Sequence, residues 1–236
     1  MERCKKFRMG KALRKDIIEW DIINWGKAIN FFGVASIEYT GKKVLDIGSR
    51  NGGLSLYFAL QGADVVCSDL NGPTNKAREL HESKSLADKI TYEAIDATNI
   101  PYTEHFDIVC FKSVLGGIGY NDSKDRQQSA LNQMYKALKP GGYLLFAENL
   151  TGSALHRYFR RKFVKWGNAW RYVTIKELLE MLYEFKNVSY STFGFFGAFG
   201  RNNIQRNLLG YLDNLLCFFI PKNKRYVGAF AAQKAI

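Results

Sequence analysis

The chain is poor in the residues that build metal and redox sites. Its four cysteines, Cys4, Cys67, Cys110 and Cys217, include no C-x-x-C pair, which leaves zinc and disulfide-exchange motifs without support. Cys67 and Cys110 fall inside apolar strand patterns and read as buried free thiols. Only three histidines are present, and no metal site is expected. No apolar run approaches the roughly 18 residues of a membrane span. The densest, Leu208–Ile220, is broken by Asp213 and Asn214. The basic N-terminus is not followed by the apolar stretch of a signal peptide, so a cytoplasmic protein is expected.

Acid is also missing locally. Residues 155–176 hold seven Lys/Arg and no Asp/Glu, residues 1–15 hold seven against one, and residues 201–236 six against one. These balances of +7, +6 and +5 leave −6 for the remainder of a chain whose formal charge is +12. Such basic stretches suit a solvated face or an anionic partner: a phosphorylated substrate, an anionic membrane surface or RNA.

What is present is an alternation of strands and helices. Apolar spacings of three and four predict an amphipathic helix over 16–32. Strands are predicted over 43–47, 64–68, 90–95, 106–111 and 143–147. Helices are predicted over 53–61, 74–86 and 125–138, the last stopped by Pro140-Gly141-Gly142. This pattern implies βαβ units and a Rossmann-like, doubly wound α/β sheet that is mostly parallel. After residue 149 the pattern changes. A basic, aromatic connection over 149–173 carries Tyr158, Phe159, Phe163, Trp166, Trp170 and Tyr172. Thr174-Ile175-Lys176-Glu177 reads as a capping box for a helix over 175–184. Strands over 187–196 and 226–233, separated by a helical insertion near 203–220, predict an antiparallel addition at a sheet edge. One domain over 1–236 is expected: a helical cap (1–40), a cofactor-binding core (41–150) and a substrate-side region (151–236).

The stretch Val44-Leu45-Asp46-Ile47-Gly48-Ser49-Arg50-Asn51-Gly52-Gly53 carries the most chemistry. An apolar strand runs through an acid into a glycine-rich turn and then a helix. Glycine lets backbone approach a ligand, and in doubly wound sheets ligands bind beyond the carboxyl ends of the strands. Asp46, Asp69, Asp96 and Glu148 all fall at such ends. A carboxylate beside a glycine turn suits a cationic, ribose-bearing ligand such as S-adenosylmethionine more than a pyrophosphate. A dinucleotide fingerprint would need glycine where Arg50 stands.

These residues resemble the class I S-adenosylmethionine-dependent methyltransferases, closely over residues 40–150, and within them the small-molecule branch that includes quinone-, glycan- and lipid-associated enzymes. Asp46-Ile47-Gly48-Ser49-Arg50-Asn51-Gly52 matches the family's first motif, with Arg50 in place of its middle glycine. Asp69, 23 residues after Asp46, matches the acid that holds the ribose hydroxyls, with Leu70 beside it. Asp96, with Ala97 adjacent, matches the acid near the adenine amino group. Phe106-Asp107-Ile108-Val109 resembles the fourth strand, and Leu138-Lys139-Pro140-Gly141-Gly142-Tyr143-Leu144 the turn into the fifth. The loop opened by Lys112 is the segment that borders cofactor and acceptor in the family.

The resemblance implies a methyltransferase with S-adenosylmethionine held by Asp46, Gly48, Ser49, Arg50, Gly52, Asp69, Leu70, Asp96, Ala97 and Lys112. Arg50 is a candidate partner for the cofactor's carboxylate. O-methylation of a small acceptor, phosphorylated or lipid-linked like a glycan precursor, is the expected reaction. Glu148 and His156 are the candidate bases. His81 is placed on a surface helix. The basic, aromatic segment after residue 155 also suits RNA or contact with a membrane surface, so an RNA methyltransferase and a non-catalytic cofactor-binding module stand as alternatives.

Overall fold

The structure is a computed structural model that describes residues 9–164, 167 and 169–236, with residues 34 and 35 as backbone only. Cys4 and Trp166 lie outside the described residues. In chain order the elements are α1 (Lys11–Ile18), α2 (Ile22–Phe31), β1 (Lys43–Ile47), α3 (Gly53–Ala59), β2 (Asp64–Asp69), α4 (Asn75–Glu82), β3 (Ile90–Ala94) and β4 (Phe106–Lys112). Then follow α5 (Leu115–Ile118), α6 (Lys124–Ala137), β5 (Leu138–Asn149), α7 (Ala154–Phe163), α8 (Ile175–Met181), β6 (Lys186–Phe193), α9 (Asn203–Leu216) and β7 (Val227–Gln233).

The strands form one seven-stranded sheet in the order β3-β2-β1-β4-β5-β7-β6. The first five run parallel, whereas β7 pairs antiparallel with both β5 and β6. This is the expected Rossmann-like α/β sheet with an antiparallel edge. The strands are apolar on both faces because both are covered. One core joins Trp25, Ile29, Phe32, Phe58 and Val65, and the other joins Leu45, Phe111, Leu131, Met134 and Phe146. Cys67 and Cys110 are buried and unpaired. Among the described residues no helix is long and apolar enough to cross a membrane.

Four local expectations are corrected. The helix expected over 16–32 is two helices. Glu19 and Asp21 take left-handed backbone (φ 69° and 44°) between them, and the Ile18 carbonyl accepts from Lys112 Nζ at 2.8 Å. The segment 149–173 is not all connection: α7 starts at Ser153, whose hydroxyl accepts from the His156 N–H, while the His156 ring accepts from the Ser153 N–H. A histidine in place of the usual Glu/Gln hid this capping box from the sequence. Pro140-Gly141-Gly142 is part of β5, which begins as soon as α6 ends. His81 is fully buried rather than on the surface, with its Nε2 2.9 Å from the Gly52 carbonyl and its Nδ1 2.9 Å from the Tyr92 hydroxyl.

Candidate functional site

At the carboxyl ends of the central strands lies a cleft of about 780 Å³. Its lining falls into two groups. One is Asp46, Gly48, Ser49, Arg50, Asn51 and Lys112, the turn after β1 and the end of β4. The other is Arg160, Trp170, Tyr172, Arg206, Tyr226 and Asp21, drawn from α7, the segment before α8, α9, the start of β7 and the break between α1 and α2.

The turn after β1 is built by reciprocal bonds. Asp46 is buried and accepts from the backbone N–H and hydroxyl of Ser55 at 2.9 and 2.7 Å, tying the strand end to the first turn of α3. Burial pushes its carboxyl up to about 7, against the pull of those bonds. Asp69 accepts from the Arg50 N–H at 2.9 Å and from its neighbour Leu70 N–H at 2.8 Å. Gly48 and Gly52 have φ of 63° and 74°, the left-handed region. Each is also required by packing: a Cβ would lie 2.6 Å from Val114 at Gly48 and 2.5 Å from the His81 ring at Gly52. Arg50 shares the left-handed conformation (φ 51°), which costs a non-glycine residue about 1–2 kcal/mol.

Lys112 closes this end. Its ammonium donates to the Ile18 carbonyl and sits 4.1 Å from the centre of the Trp20 ring, while Arg50 lies 5.8 Å from the same ring. Burial lowers its pKa to about 8, partly offset by Glu19 and Asp46. Asp96 binds its own turn, accepting from the Thr98 N–H and hydroxyl at 2.8 Å each, bonds that hold its pKa below the ordinary value. Ala97 is buried and Leu70 is 60% exposed. Asp69, Leu70, Asp96 and Ala97 do not line the cleft; Gly52, Glu148 and His156 do not either.

Glu148 is buried with both carboxylate oxygens engaged. One accepts from the Val114 and Leu115 N–H groups at 2.9 and 2.8 Å, the other from its neighbour Asn149 at 2.7 Å. Burial raises its pKa to about 7 in spite of these bonds. His156 is also buried. Its Nδ1 accepts from the Ser153 N–H at 3.1 Å and its Nε2 donates to the Phe195 carbonyl at 2.9 Å. It stacks on Phe199 at 4.9 Å, and burial drives its pKa down to about 4.

The second group was largely missed by sequence reasoning. Tyr226 donates its hydroxyl to Asp21, and Asn24 Nδ2 donates to Tyr226 at 3.1 Å and to Asp213 at 2.8 Å. Burial pushes Asp21 up to about 7, more than its bonds with Tyr226 and Asn24 pull it down. Arg160 donates to the Leu150 carbonyl at 2.7 Å and lies 4.0 Å over the Tyr172 ring. Arg206 donates Nε to the Gly200 carbonyl at 3.0 Å. The buried indole N–H of Trp170 has no hydrogen-bond partner among the described residues. The one available signal was the density of aromatics and cations over 155–172.

Residues 45–146 match a family model described as a methyltransferase domain. The chain is 34% identical over 128 residues to a ubiquinone/menaquinone biosynthesis C-methyltransferase of Methylococcus capsulatus, covering 52% of this chain and 48% of that protein. It is 33% identical over 111 residues to a ubiquinone biosynthesis O-methyltransferase of Psychrobacter cryohalolentis, covering 46% and 41%. The chain thus spans about half the length of the curated relatives it matches. Its fold is similar to that of Haemonchus contortus phosphoethanolamine N-methyltransferase 2 solved with S-adenosyl-L-methionine, at TM-score 0.64 and 20% identity over 90% of this chain and 53% of that one.

Proposed function

We propose that this chain, whose residues 45–146 belong to the class I S-adenosylmethionine-dependent methyltransferases, transfers a methyl group to the oxygen of a small anionic acceptor. The single observation that carries this reading is a cleft whose lining combines the glycine turn and strand-end acid with aromatic and cationic side chains.

The first end of the cleft fits one part of the cofactor, and Asp69, Leu70, Asp96 and Ala97, which lie outside its lining, would take the rest. A carboxylate offers about four lone-pair sites. Asp69 uses two of them on backbone N–H groups, which fixes it and leaves acceptor capacity for a pair of ribose hydroxyls. Arg50 and Lys112 are the cations available to a carboxylate, and Asp46, Gly48, Ser49 and Gly52 form the turn that would carry it. Asp96, Ala97 and Leu70 would border the base. When bound, S-adenosylmethionine supplies a methyl group on a sulfonium, an activated electrophile.

The chain's own contribution is alignment, water exclusion and acceptance of a proton. Proximity and alignment can supply about 7–11 kcal/mol. Trp170 and Tyr172 wall the acceptor end, with the unpaired Trp170 N–H as a donor for a polar acceptor group. Arg206 and Arg160 favour an acidic one, such as a phosphorylated or lipid-linked precursor. For the proton we assign Asp21, which lines the cleft and is paired to Tyr226. Glu148 and His156, which do not line the cleft, we assign to positioning: Glu148 fixes the start of α5, and His156 ties α7 to residue 195.

The test is incubation with methyl-labelled S-adenosylmethionine and a cell extract separated into lipid, nucleic-acid and small-molecule fractions. Label in the small-molecule or lipid fraction is expected. Label confined to RNA, or no cofactor binding by calorimetry, would overturn the reading.

A further inference from the structure

The helix α9 is inside out. A surface helix ordinarily turns its apolar stripe to the core. Here Ile204, Leu208, Tyr211 and Leu215 recur at spacings of four, three and four, so they share one face, and Phe218 and Phe219 follow in the turn just after the helix. The first four are 81, 70, 60 and 73% exposed, and Phe218 and Phe219 are 86 and 78% exposed. The face turned inward holds Gly210, where a Cβ would lie 2.7 Å from Ile23, and buried Asp213. Asp213 accepts from the N–H groups of Phe195, Phe196 and Gly197 at 2.8, 2.8 and 3.0 Å. Those bonds fix the rotation of the helix and hold its apolar face outward. Large apolar side chains gathered on one helix face and exposed to this degree mark an interaction surface, unlike single apolar residues scattered over a surface.

A second exposed set adjoins it. On α7, Leu155, Tyr158 and Phe163 are 47, 56 and 51% exposed. The Arg201 guanidinium, just before α9, lies 5.3 Å over the Phe163 ring and joins the two. The exposed charge carried by α7, by α9 and by the residues that flank them in the chain is of one sign, with Glu180 the acid that shares a surface hollow with Lys222. Arg157, Arg161, Lys162, Arg201, Lys222 and Lys224 are all exposed. Between residues 151 and 176 there is no acid, and from 185 to 236 the only one is the buried Asp213.

We propose that this face, α9 with the exposed side of α7, docks in the plane of an anionic lipid membrane. The apolar face takes the acyl boundary and the rim of cations takes the headgroups, as in interfacial amphipathic helices. A second copy of the chain would bring the same excess of positive charge to the contact, so charge complementarity selects anionic lipid. At 14 residues α9 spans about 21 Å, short of the roughly 30 Å hydrocarbon core, so it lies along the surface. α7 and α9 also wall the acceptor end of the cleft through Arg160, Asn203 and Arg206. The docking itself does not rest on the methyl-transfer reading.

The test is sedimentation of the full chain with vesicles of phosphatidylcholine alone and of phosphatidylcholine with 30 mol% phosphatidylglycerol, with light scattering for oligomeric state. Binding to the anionic vesicles at least tenfold above the neutral ones is expected, weakening in 0.5 M salt. The L208E/L215E variant alters only exposed positions and should lose tenfold or more with an unchanged circular dichroism spectrum. A Phe218→Trp chain should show a blue-shifted emission on anionic vesicles that brominated lipid quenches. No sedimentation with either vesicle, or a dimer that L208E/L215E disperses in the absence of lipid binding, would overturn the proposal.

Discussion

Tyr226 and Asp21 meet across 205 residues of chain, the phenol donating to the carboxylate at the wall of the cleft. The pair ties the α1–α2 break to the start of β7. Through Asn24 it also engages Asp213, and with it α9. A carboxylate so placed faces two opposed effects: burial favours its neutral form, and the Tyr226 bond favours its charge. Burial prevails, and the group titrates near 7.

A base must be ionised to act. If Asp21 takes the acceptor's proton, kcat/KM climbs with pH through about 7 and then levels. Asp21→Asn keeps an oxygen for the Tyr226 hydroxyl but cannot take the proton. Its kcat should fall by about 10²–10⁴-fold and its profile should lose the climb near 7. Steady-state rates from pH 5.5 to 8.5 check this; an Asp21→Asn protein that keeps the wild-type profile would remove Asp21 from the role.

Stability should run the other way. Asp21, Asp46 and Glu148 are each raised by burial to about 7, so the folded state holds protons that the unfolded chain releases near 4. A raised pKa contributes stability that is full below the unfolded value and lost as pH rises through the folded one. His81 and His156, lowered by burial, oppose this while the unfolded histidines titrate around 6.5, an opposition that fades toward pH 7.5. Between pH 6.5 and 8 the three acids outweigh the histidines and Lys112, whose pKa burial lowers to about 8, and unfolding free energy should fall by roughly 1 kcal/mol per pH unit. Urea melts at pH 6.5, 7.2 and 8 test this, and Asp46→Asn should flatten the slope by about half.

The strands and their terminal acids were legible because local pattern determines them: short apolar runs, most of them closed by a carboxylate or a glycine turn. The Asp21–Tyr226 pair was not, since it depends on where β7 inserts in the sheet, and nothing near either residue encodes that. His81 was misplaced for a similar reason. The helix around it is polar, and its burial comes from partners outside that helix, the carbonyl of Gly52, 29 residues earlier, and Tyr92. The apolar run of α9 was visible, but which face it buries was decided by Asp213, a residue the sequence presents as a mere interruption.

Arg50 separates backbone from side chain. Its left-handed φ of 51° penalises any non-glycine residue, so Arg50→Gly should stabilise the fold by about 0.5–1 kcal/mol once the greater freedom of glycine in the unfolded chain is counted. If the guanidinium meets the cofactor carboxylate, the same change should weaken S-adenosylmethionine binding by about tenfold. Calorimetric titration beside a thermal melt distinguishes the two effects; unchanged affinity would reduce Arg50 to a solvent-facing residue.

Trp170 owes its place in the cleft to the absence of two side chains. An ideal Cβ on Gly116 would fall 1.5 Å from its Nε1, and one on Gly117 would fall 3.2 Å from the far edge of its ring. The indole therefore lies directly on the α5 backbone, its N–H unpaired among the described residues. Gly116→Ala must push the ring away, since a backbone-fixed methyl and an indole cannot share that space. The expected result is a loss of about 1–3 kcal/mol of stability from overpacking. The acceptor KM should rise about tenfold with cofactor affinity unchanged, because Trp170 belongs to the acceptor end and not to the glycine turn. Trp170→Phe removes the donor while keeping an aromatic ring, and should raise the acceptor KM without the stability loss. Steady-state kinetics on both variants, beside cofactor titration, check this; an unchanged acceptor KM in both would place the acceptor elsewhere in the cleft.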